Sequence, residues 1–168
     1  MSKQEALKPI EILFNRYAAF HQHPTNKLLH WITVPLVIFS GLGLIWAIPF
    51  PHLEFLGRYN GFVNWASFLI AFAIYYYYRL SPVLSYGMLL FVFAASAGIV
   101  GLEKMHNNKD WPEMWQVCLA ILVLSLIGQL FGHKVEGKKM PLLESLKFIL
   151  IAPLWLLHIL FKNAGLRH

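Results

Sequence analysis

Residues 31–51 read WITVPLVIFSGLGLIWAIPFP, a stretch without a single charged side chain. A helix needs roughly 20 predominantly apolar residues to cross the hydrocarbon core of a bilayer. Length and composition therefore predict a transmembrane helix over this stretch. Trp31 and Trp46 lie near its ends, where aromatic side chains favour the membrane interface.

Three further stretches qualify by the same criterion, namely residues 59–78, 80–102 and 114–132. A fifth apolar run, residues 148–161, is shorter and contains Pro153 and His158, which favours a re-entrant or interfacial helix. The pattern therefore predicts a bundle of about four transmembrane helices with a short C-terminal re-entrant or fifth helix.

Ahead of the first span, residues 7–22 carry apolar side chains at helical spacing, which predicts an amphipathic helix on the membrane or packed under the bundle. Pro24 is expected to end this helix, and Thr25 or Asn26 to cap the next one. The predicted fold class is an all-α integral membrane bundle, with residues 1–168 forming a single domain.

Composition excludes an ordinary soluble protein. Hydrophobic residues make up 58% of the chain and charged residues 13%, with a mean hydropathy of +0.55; soluble domains average roughly 25% charged residues. The net charge of +6 does not indicate nucleic-acid binding, because the basic residues lie in short connections between apolar runs. Membrane lipids are the expected counter-charge. The single cysteine, Cys118, excludes a disulfide framework.

Orientation follows from the distribution of lysine and arginine. With four spans, most basic residues share one side with the N-terminus, and such an excess marks the cytoplasmic side. We therefore expect a cytoplasmic N-terminus, in the inner membrane of a bacterium or the endoplasmic reticulum of a eukaryote. The sequence leaves the oligomeric state open.

The chain contains eight histidines, and the predicted topology sorts them. His21, His23 and His30 precede or open the first span, and His133 closes the fourth, so an even number of crossings places all four on the cytoplasmic side. The opposite side receives His52 and His106, and His168 belongs to the tail. His23, beside Pro24, is expected to be exposed.

Helical spacing adds partners to these histidines. Tyr17 and His21 are four residues apart, as are Asn26 and His30, so each pair shares one helix face. Gln129, His133 and Glu136 share a face in the same way. Several neutral imidazoles with at most one carboxylate suit non-haem Fe(II) or Zn. The predicted ligands are His21, His30 and His133, with His158 or Glu136 as a further ligand. Side chains that can orient the ligands are Tyr17, Asn26 and Gln129.

The motifs resemble those of the 2-hydroxy-palmitic-acid dioxygenase-like family of small membrane proteins. The first is Tyr17-AAF-His21-QHPT-Asn26-KLL-His30-WITV-Pro35, and the second is Gln129-LF-Gly132-His133-KV-Glu136-Gly137-Lys138-KM-Pro141. The segment from Ala152-Pro153 to His158 is also similar, and the likeness covers essentially the whole chain.

The resemblance implies an Fe(II)-dependent dioxygenase that shortens 2-hydroxy fatty acids by one carbon (α-oxidation), using O2. It implies His21, His30 and His133 as the catalytic metal ligands. The substrate would lay its acyl chain among the apolar helices and chelate iron through its carboxylate and 2-hydroxyl groups. Lys134, Lys138 or Lys139 would pair with the carboxylate.

Two alternatives stay open on the residues alone. The same histidines can hold zinc in a lipid-modifying hydrolase, where the metal activates water. They can also form a structural or pH-responsive polar cluster in a membrane protein without enzymatic activity. The sequence contains no HExxH protease helix and no GxSxG elbow.

Overall fold

A computed structural model describes residues 9–57, 63–109, 111–137 and 142–165, with the backbone alone at 107–109 and 142–146. The described residues contain six α-helices and no strand, which confirms the all-α fold. In chain order the helices are α1 (Pro9–Ala19), α2 (Pro24–Trp46), α3 (Trp65–Leu80), α4 (Pro82–Lys109), α5 (Met114–Glu136) and α6 (Leu142–Asn163).

Three of these helices are long and apolar enough to cross a membrane. Within the described residues they are α2, residues 82–106 of α4, and α5. The predicted second span corresponds to α3, which at 16 residues is shorter than the roughly 20 that a span needs. Residues 59–62 of that prediction lie outside the described chain. Three apolar helices of this kind suggest a membrane-associated protein.

α1 packs against α6. Its buried side chains are Ile10, Phe14 and Tyr17, which follow one helical face. The amphipathic helix therefore turns its apolar face into the bundle. Of the two predicted placements, on the membrane surface or packed under the bundle, the structure shows the latter.

The start of α2 differs from the prediction. His23 is the N-cap residue, and its Nδ1 accepts a hydrogen bond from the Thr25 backbone N–H at 3.2 Å. Pro24 opens the helix, where its missing N–H leaves no bond unmade. The prediction that Thr25 or Asn26 caps α2 was therefore wrong. This early start puts Asn26 and His30 on consecutive turns of α2.

α2 and α5 form the most extensive helix contact, and they run antiparallel. A Cβ added to Gly132 would overlap the Asn26 Oδ1 atom, and one added to Gly43 would overlap the Cys118 Sγ atom. Glycine at these two positions lets the backbones approach, as is common between membrane helices. The start of α2 consequently lies against the end of α5.

α6 is longer than the short C-terminal segment predicted from the apolar run. It continues through Pro153 for 22 residues, because residues 142–147 add more than one turn ahead of that run. It packs on α1, α2 and α4. Its buried face includes Phe148, Ile151, Leu154 and Trp155.

Candidate metal centre

Three histidines from separate segments meet at one end of the α2–α5 contact. His21 lies between α1 and α2, His30 in α2, and His133 near the end of α5. One ring nitrogen of each lies within 4.8 Å of the other two. The His21 and His30 ring centroids are 4.3 Å apart, and His133 is 5.4 Å from His30. The side chains of His21 and His30 are only 1% and 4% exposed.

The position of Gly132 explains how His133 comes close to His21 and His30. Asn26 packs against Gly132, so the residue after that glycine faces the first turns of α2. His30 lies one turn beyond Asn26 on the same face. The α2–α5 contact thus fixes two of the three imidazoles relative to each other.

The His21 ring is oriented by Tyr17. The His21 Nδ1 atom lies 2.9 Å from the Tyr17 carbonyl oxygen, which can only accept, so Nδ1 carries the proton and donates it. The His21 Nε2 atom then holds a lone pair. This nitrogen is buried and has no hydrogen-bond partner. Burial lowers the pKa of His21, which keeps the ring in the neutral form that binds metals.

Tyr17 also orients His30. Its hydroxyl group lies 3.0 Å from the His30 Nδ1 atom, and the His30 Nε2 atom is buried without a partner. The Tyr17 ring stacks on His21 with centroids 4.0 Å apart. Burial raises the pKa of Tyr17, so the hydroxyl stays protonated. One tyrosine thereby contacts two histidines through three different groups.

This arrangement fits a metal ion. A buried polar nitrogen without a hydrogen-bond partner destabilises a fold. The Nε2 atoms of His21 and His30 are two such nitrogens, and both belong to the group of three imidazoles. Metal-ligating histidines usually donate their second ring nitrogen to a protein oxygen, as His21 does to the Tyr17 carbonyl. Three imidazole nitrogens suit Fe(II), Zn, Cu or Ni.

Glu136 has other partners than the three-histidine group. Its carboxylate accepts hydrogen bonds from the backbone N–H groups of Gln22 and His23, both at 2.8 Å. It also accepts one from the Asn26 side-chain amide at 3.1 Å. These bonds tie the segment that carries His21 to the end of α5, so Glu136 holds two ligand-bearing segments together.

The remaining predicted residues lie around this centre in different places. His158 packs its ring on Phe14 with centroids 4.7 Å apart and is not part of the three-histidine group. Gln129 lines a cavity beside the histidines, while Lys134 is exposed. Lys138 and Lys139 lie outside the described residues, as does His168.

The histidines that topology excluded are indeed elsewhere. His52 is exposed, and the His106 Nδ1 atom lies 2.6 Å from the Trp111 carbonyl oxygen, to which it donates. Neither belongs to the three-histidine group. His23 is exposed, as predicted, and caps α2.

The three histidines open onto a cavity of about 600 Å³. Its walls are mainly apolar and come from α2, α5 and α6, with Tyr17 of α1 at the histidine end. The lining residues are Tyr17, His21, His30, Val34, Val37, Ile38, Leu126, Gln129, Leu130, His133, Phe148, Ile149 and Ala152. A cavity of this size and character is typical of small-molecule sites.

Sequence reasoning missed the contribution of α6 to this cavity. Phe148, Ile149 and Ala152 belong to a run in which every residue looks equally apolar, so no signal separates cavity walls from packing contacts. It also missed the hydroxyl contact between Tyr17 and His30, which are 13 residues apart on different helices.

Comparison with known proteins agrees with this geometry. Residues 7–164 match the model of a family described as 2-hydroxy-palmitic acid dioxygenase Mpo1-like. No curated protein and no solved structure matches the chain. Because the match covers nearly the whole sequence, including all three histidines, the chain belongs to the 2-hydroxy-palmitic acid dioxygenase Mpo1-like family.

Proposed function

We propose that the protein is a non-haem Fe(II) dioxygenase that converts 2-hydroxy fatty acids into fatty acids one carbon shorter. The observation that carries this proposal is the pair of buried, unpartnered Nε2 atoms of His21 and His30, which adjoin His133 at the end of an apolar cavity. The family description supports the substrate class and the reaction type.

In this proposal His21, His30 and His133 would hold the iron. The Tyr17 carbonyl group fixes the tautomer of His21, and the Tyr17 hydroxyl group accepts from the His30 Nδ1–H, which leaves the His30 Nε2 lone pair for the metal. Bound iron supplies O2 activation and a chelation point for the carboxylate and 2-hydroxyl groups of the substrate. The reaction balances with O2 as the only oxidant: the C1–C2 bond breaks, C2 becomes the new carboxyl carbon, and C1 leaves as CO2 with one water. The apolar cavity holds the acyl chain and excludes water from the reacting carbons.

Polar groups near the histidines have separate roles in the proposal. Gln129 lies one turn before His133 on α5 and donates from its amide to the polar head of the substrate. Lys134 supplies positive charge for the carboxylate, as do Lys138 and Lys139. Replacing Lys134 with glutamine is expected to raise KM more than it lowers kcat, because an exposed point charge that attracts the carboxylate stabilises ground and transition states alike.

Product analysis tests the function directly. Purified protein is incubated with 2-hydroxypalmitate, Fe(II) and O2, and the fatty acids are identified by mass spectrometry. A saturated acid one carbon shorter is the expected product. Unchanged substrate with a fully iron-loaded protein would contradict the proposal.

Elemental analysis of anaerobically purified protein tests the metal. Stoichiometric iron supports the proposal, zinc supports a lipid hydrolase, and no metal supports a structural histidine cluster. Alanine at position 21, 30 or 133 should abolish metal retention. His52→Ala is the matched control and should retain it, because His52 is exposed and outside the group.

Orientation is part of the proposal as well. The basic side of the bundle, with the N-terminus and the histidine centre, faces the cytoplasm of a bacterium or the cytosolic face of the endoplasmic reticulum. Labelling of an N-terminal tag in sealed vesicles tests this. In right-side-out vesicles of a bacterial inner membrane the tag should be protected, and in sealed vesicles of the endoplasmic reticulum, whose cytosolic face is outward, it should be accessible; the opposite result in either membrane contradicts the orientation.

A further inference from the structure

The cavity beside the histidines is walled by two helices that do not pack on each other. α5 and α6 each contact α2, whereas they make little or no direct contact with one another in the described residues. Both helices nevertheless line the same cavity. The cavity is therefore a cleft with α2 as its floor and α5 and α6 as its sides.

The exposure of two lining residues locates the open side. Leu130 of α5 is 69% exposed and Ile149 of α6 is 57% exposed, yet both line the cavity. Val34 on the α2 floor is buried. The cleft is thus closed towards α2 and open between α5 and α6.

The opening lies along a helix that is apolar enough to span a membrane. Leu126, Leu130 and His133 follow one face of α5, and the seven steps from Leu126 to His133 cover roughly 10 Å at 1.5 Å per residue. Among the residues whose side chains the structure describes, the cavity lining contains no Lys, Arg, Asp or Glu. An exposed leucine on such a helix faces lipid tails, so we infer that the opening leads into the bilayer. The polar residues of the described lining gather at the histidine end.

We propose that the substrate enters and the product leaves sideways from the bilayer, as a single acyl chain passing between α5 and α6. This inference rests on the proposed function. Its occupant is a single-chain amphiphile, because the cleft offers one apolar trough and one polar end. The acyl chain of the substrate slides between Leu130 and Ile149 without leaving the apolar phase. Its head group moves along the cleft to the histidine centre.

Photolabelling in lipid vesicles tests the route. The probe is a 2-hydroxy fatty acid with a diazirine near the end of its chain, and labelled peptides are identified by mass spectrometry. The expected labels fall on the α5 segment around Leu126 and Leu130 and on the α6 segment around Ile149. Excess 2-hydroxypalmitate should compete for them. Labels on the α2 floor agree with the proposal as well. Labels on α3 or α4 with none on α5 or α6, or labels that excess substrate does not displace, would overturn it.

Bulky substitutions at the opening provide a second test. Leu130→Trp and Ile149→Trp narrow the cleft from opposite sides, and each should lose most of the competed labelling and raise KM for vesicle-borne substrate, with metal content retained. Leu124→Trp is the matched control, because Leu124 lies on the same helix, is 70% exposed and does not line the cavity. If both opening variants behave like the control, the route is wrong.

The two proposals fail in distinguishable ways. Wild-type protein that shortens 2-hydroxypalmitate while the opening variants match the Leu124→Trp control overturns the route and leaves the function intact. Competed labelling between α5 and α6 without any shortened product overturns the function and supports the route.

Discussion

Tyr17 connects the residues of this centre more than any other side chain. Its carbonyl group accepts from His21, its hydroxyl lies against His30, and its ring stacks on His21. A ligand set built from one loop and two helices needs such a residue, because each imidazole must present a lone pair in a fixed direction. The hydroxyl is the one contact of the three that can be removed without changing the side chain's shape.

Tyr17→Phe should therefore weaken metal binding while preserving the fold. Loss of a hydrogen bond that orients a metal ligand typically lowers affinity by about 10–100-fold, and the ring stack on His21 should remain. Competition with a chelator under anaerobic conditions measures the affinity. Tyr86→Phe, at an exposed position of α4, should bind metal like the wild type. Equal affinity in both variants would contradict the role given to the hydroxyl.

Glu136 is a positioning residue in this account, and its removal should affect stability as well as metal binding. Its carboxylate accepts three hydrogen bonds from the segment beside His21. Bonds to a charged group contribute about 1.5–3 kcal/mol each at most. Glu136→Ala should lower the unfolding temperature in detergent and weaken metal binding together.

The control for this prediction is Glu103→Ala, at an exposed position of α4. This variant should change neither the unfolding temperature nor the metal affinity. If Glu136→Ala lost metal with an unchanged unfolding temperature and the far-ultraviolet spectrum of the wild type, direct ligation by the carboxylate would be the better explanation.

At the scale of the helices, the α2–α5 contact determines whether the centre can form. Asn26 fits against Gly132 at one end of this contact, and Gly43 fits against Cys118 at the other. At either position, a side chain larger than that of glycine would push α2 and α5 apart. The histidines sit beside the first of these points, so helix separation there acts directly on the distance between His30 and His133.

Gly132→Ala is expected to disrupt this contact. The added methyl group would overlap the Asn26 Oδ1 atom, and overpacking of this kind costs about 1–3 kcal/mol. Lower thermal stability and weaker metal retention should appear together. Gly41→Ala on α2 is the matched control, since nothing lies within 4 Å of the added methyl group. A Gly132→Ala protein as stable as this control would show that α2 and α5 can separate without cost.

Helical periodicity and apolar length were sufficient to predict most elements. α2, α4 and α5 correspond to three predicted spans, and the amphipathic pattern predicted α1. The end of an element was harder to predict. Capping by His23 was not foreseen, because an imidazole is an unusual cap and Thr25 and Asn26 are common ones.

Across the whole molecule, counting predicted membrane crossings placed His21, His23, His30 and His133 on one side, and the structure brings the first, third and fourth of these together. The prediction needed only the order of the apolar segments, because an even number of them between two positions returns the chain to the same end of a helical bundle. The cleft could not be predicted in the same way. It depends on how far α5 and α6 stand apart, and hydrophobic patterns do not encode that distance.

Metal binding should stabilise the bundle as a unit. The reason is that the three ligands come from different parts of the chain: one follows α1, one lies in α2 and one lies in α5. A ligand present at a hundred times its Kd adds about 2.7 kcal/mol. At roughly 2–4 °C per kcal/mol for a chain of this size, chelation should lower the unfolding temperature by roughly 5–10 °C. His133→Ala should show little shift on chelation. An unchanged temperature in metal-loaded wild-type protein would contradict a ligand set that joins these segments.

The distribution of the three histidines along the chain also orders the events of biosynthesis. His21 and His30 leave the ribosome early, and His133 follows roughly a hundred residues later, a delay of roughly 5–20 s at usual elongation rates. During that interval the first two imidazoles lack their third partner. If the protein holds iron as proposed, metal capture would follow insertion of α5, and a nascent chain stalled before that helix would hold the metal only weakly. Metal loading would then report that the helices have assembled.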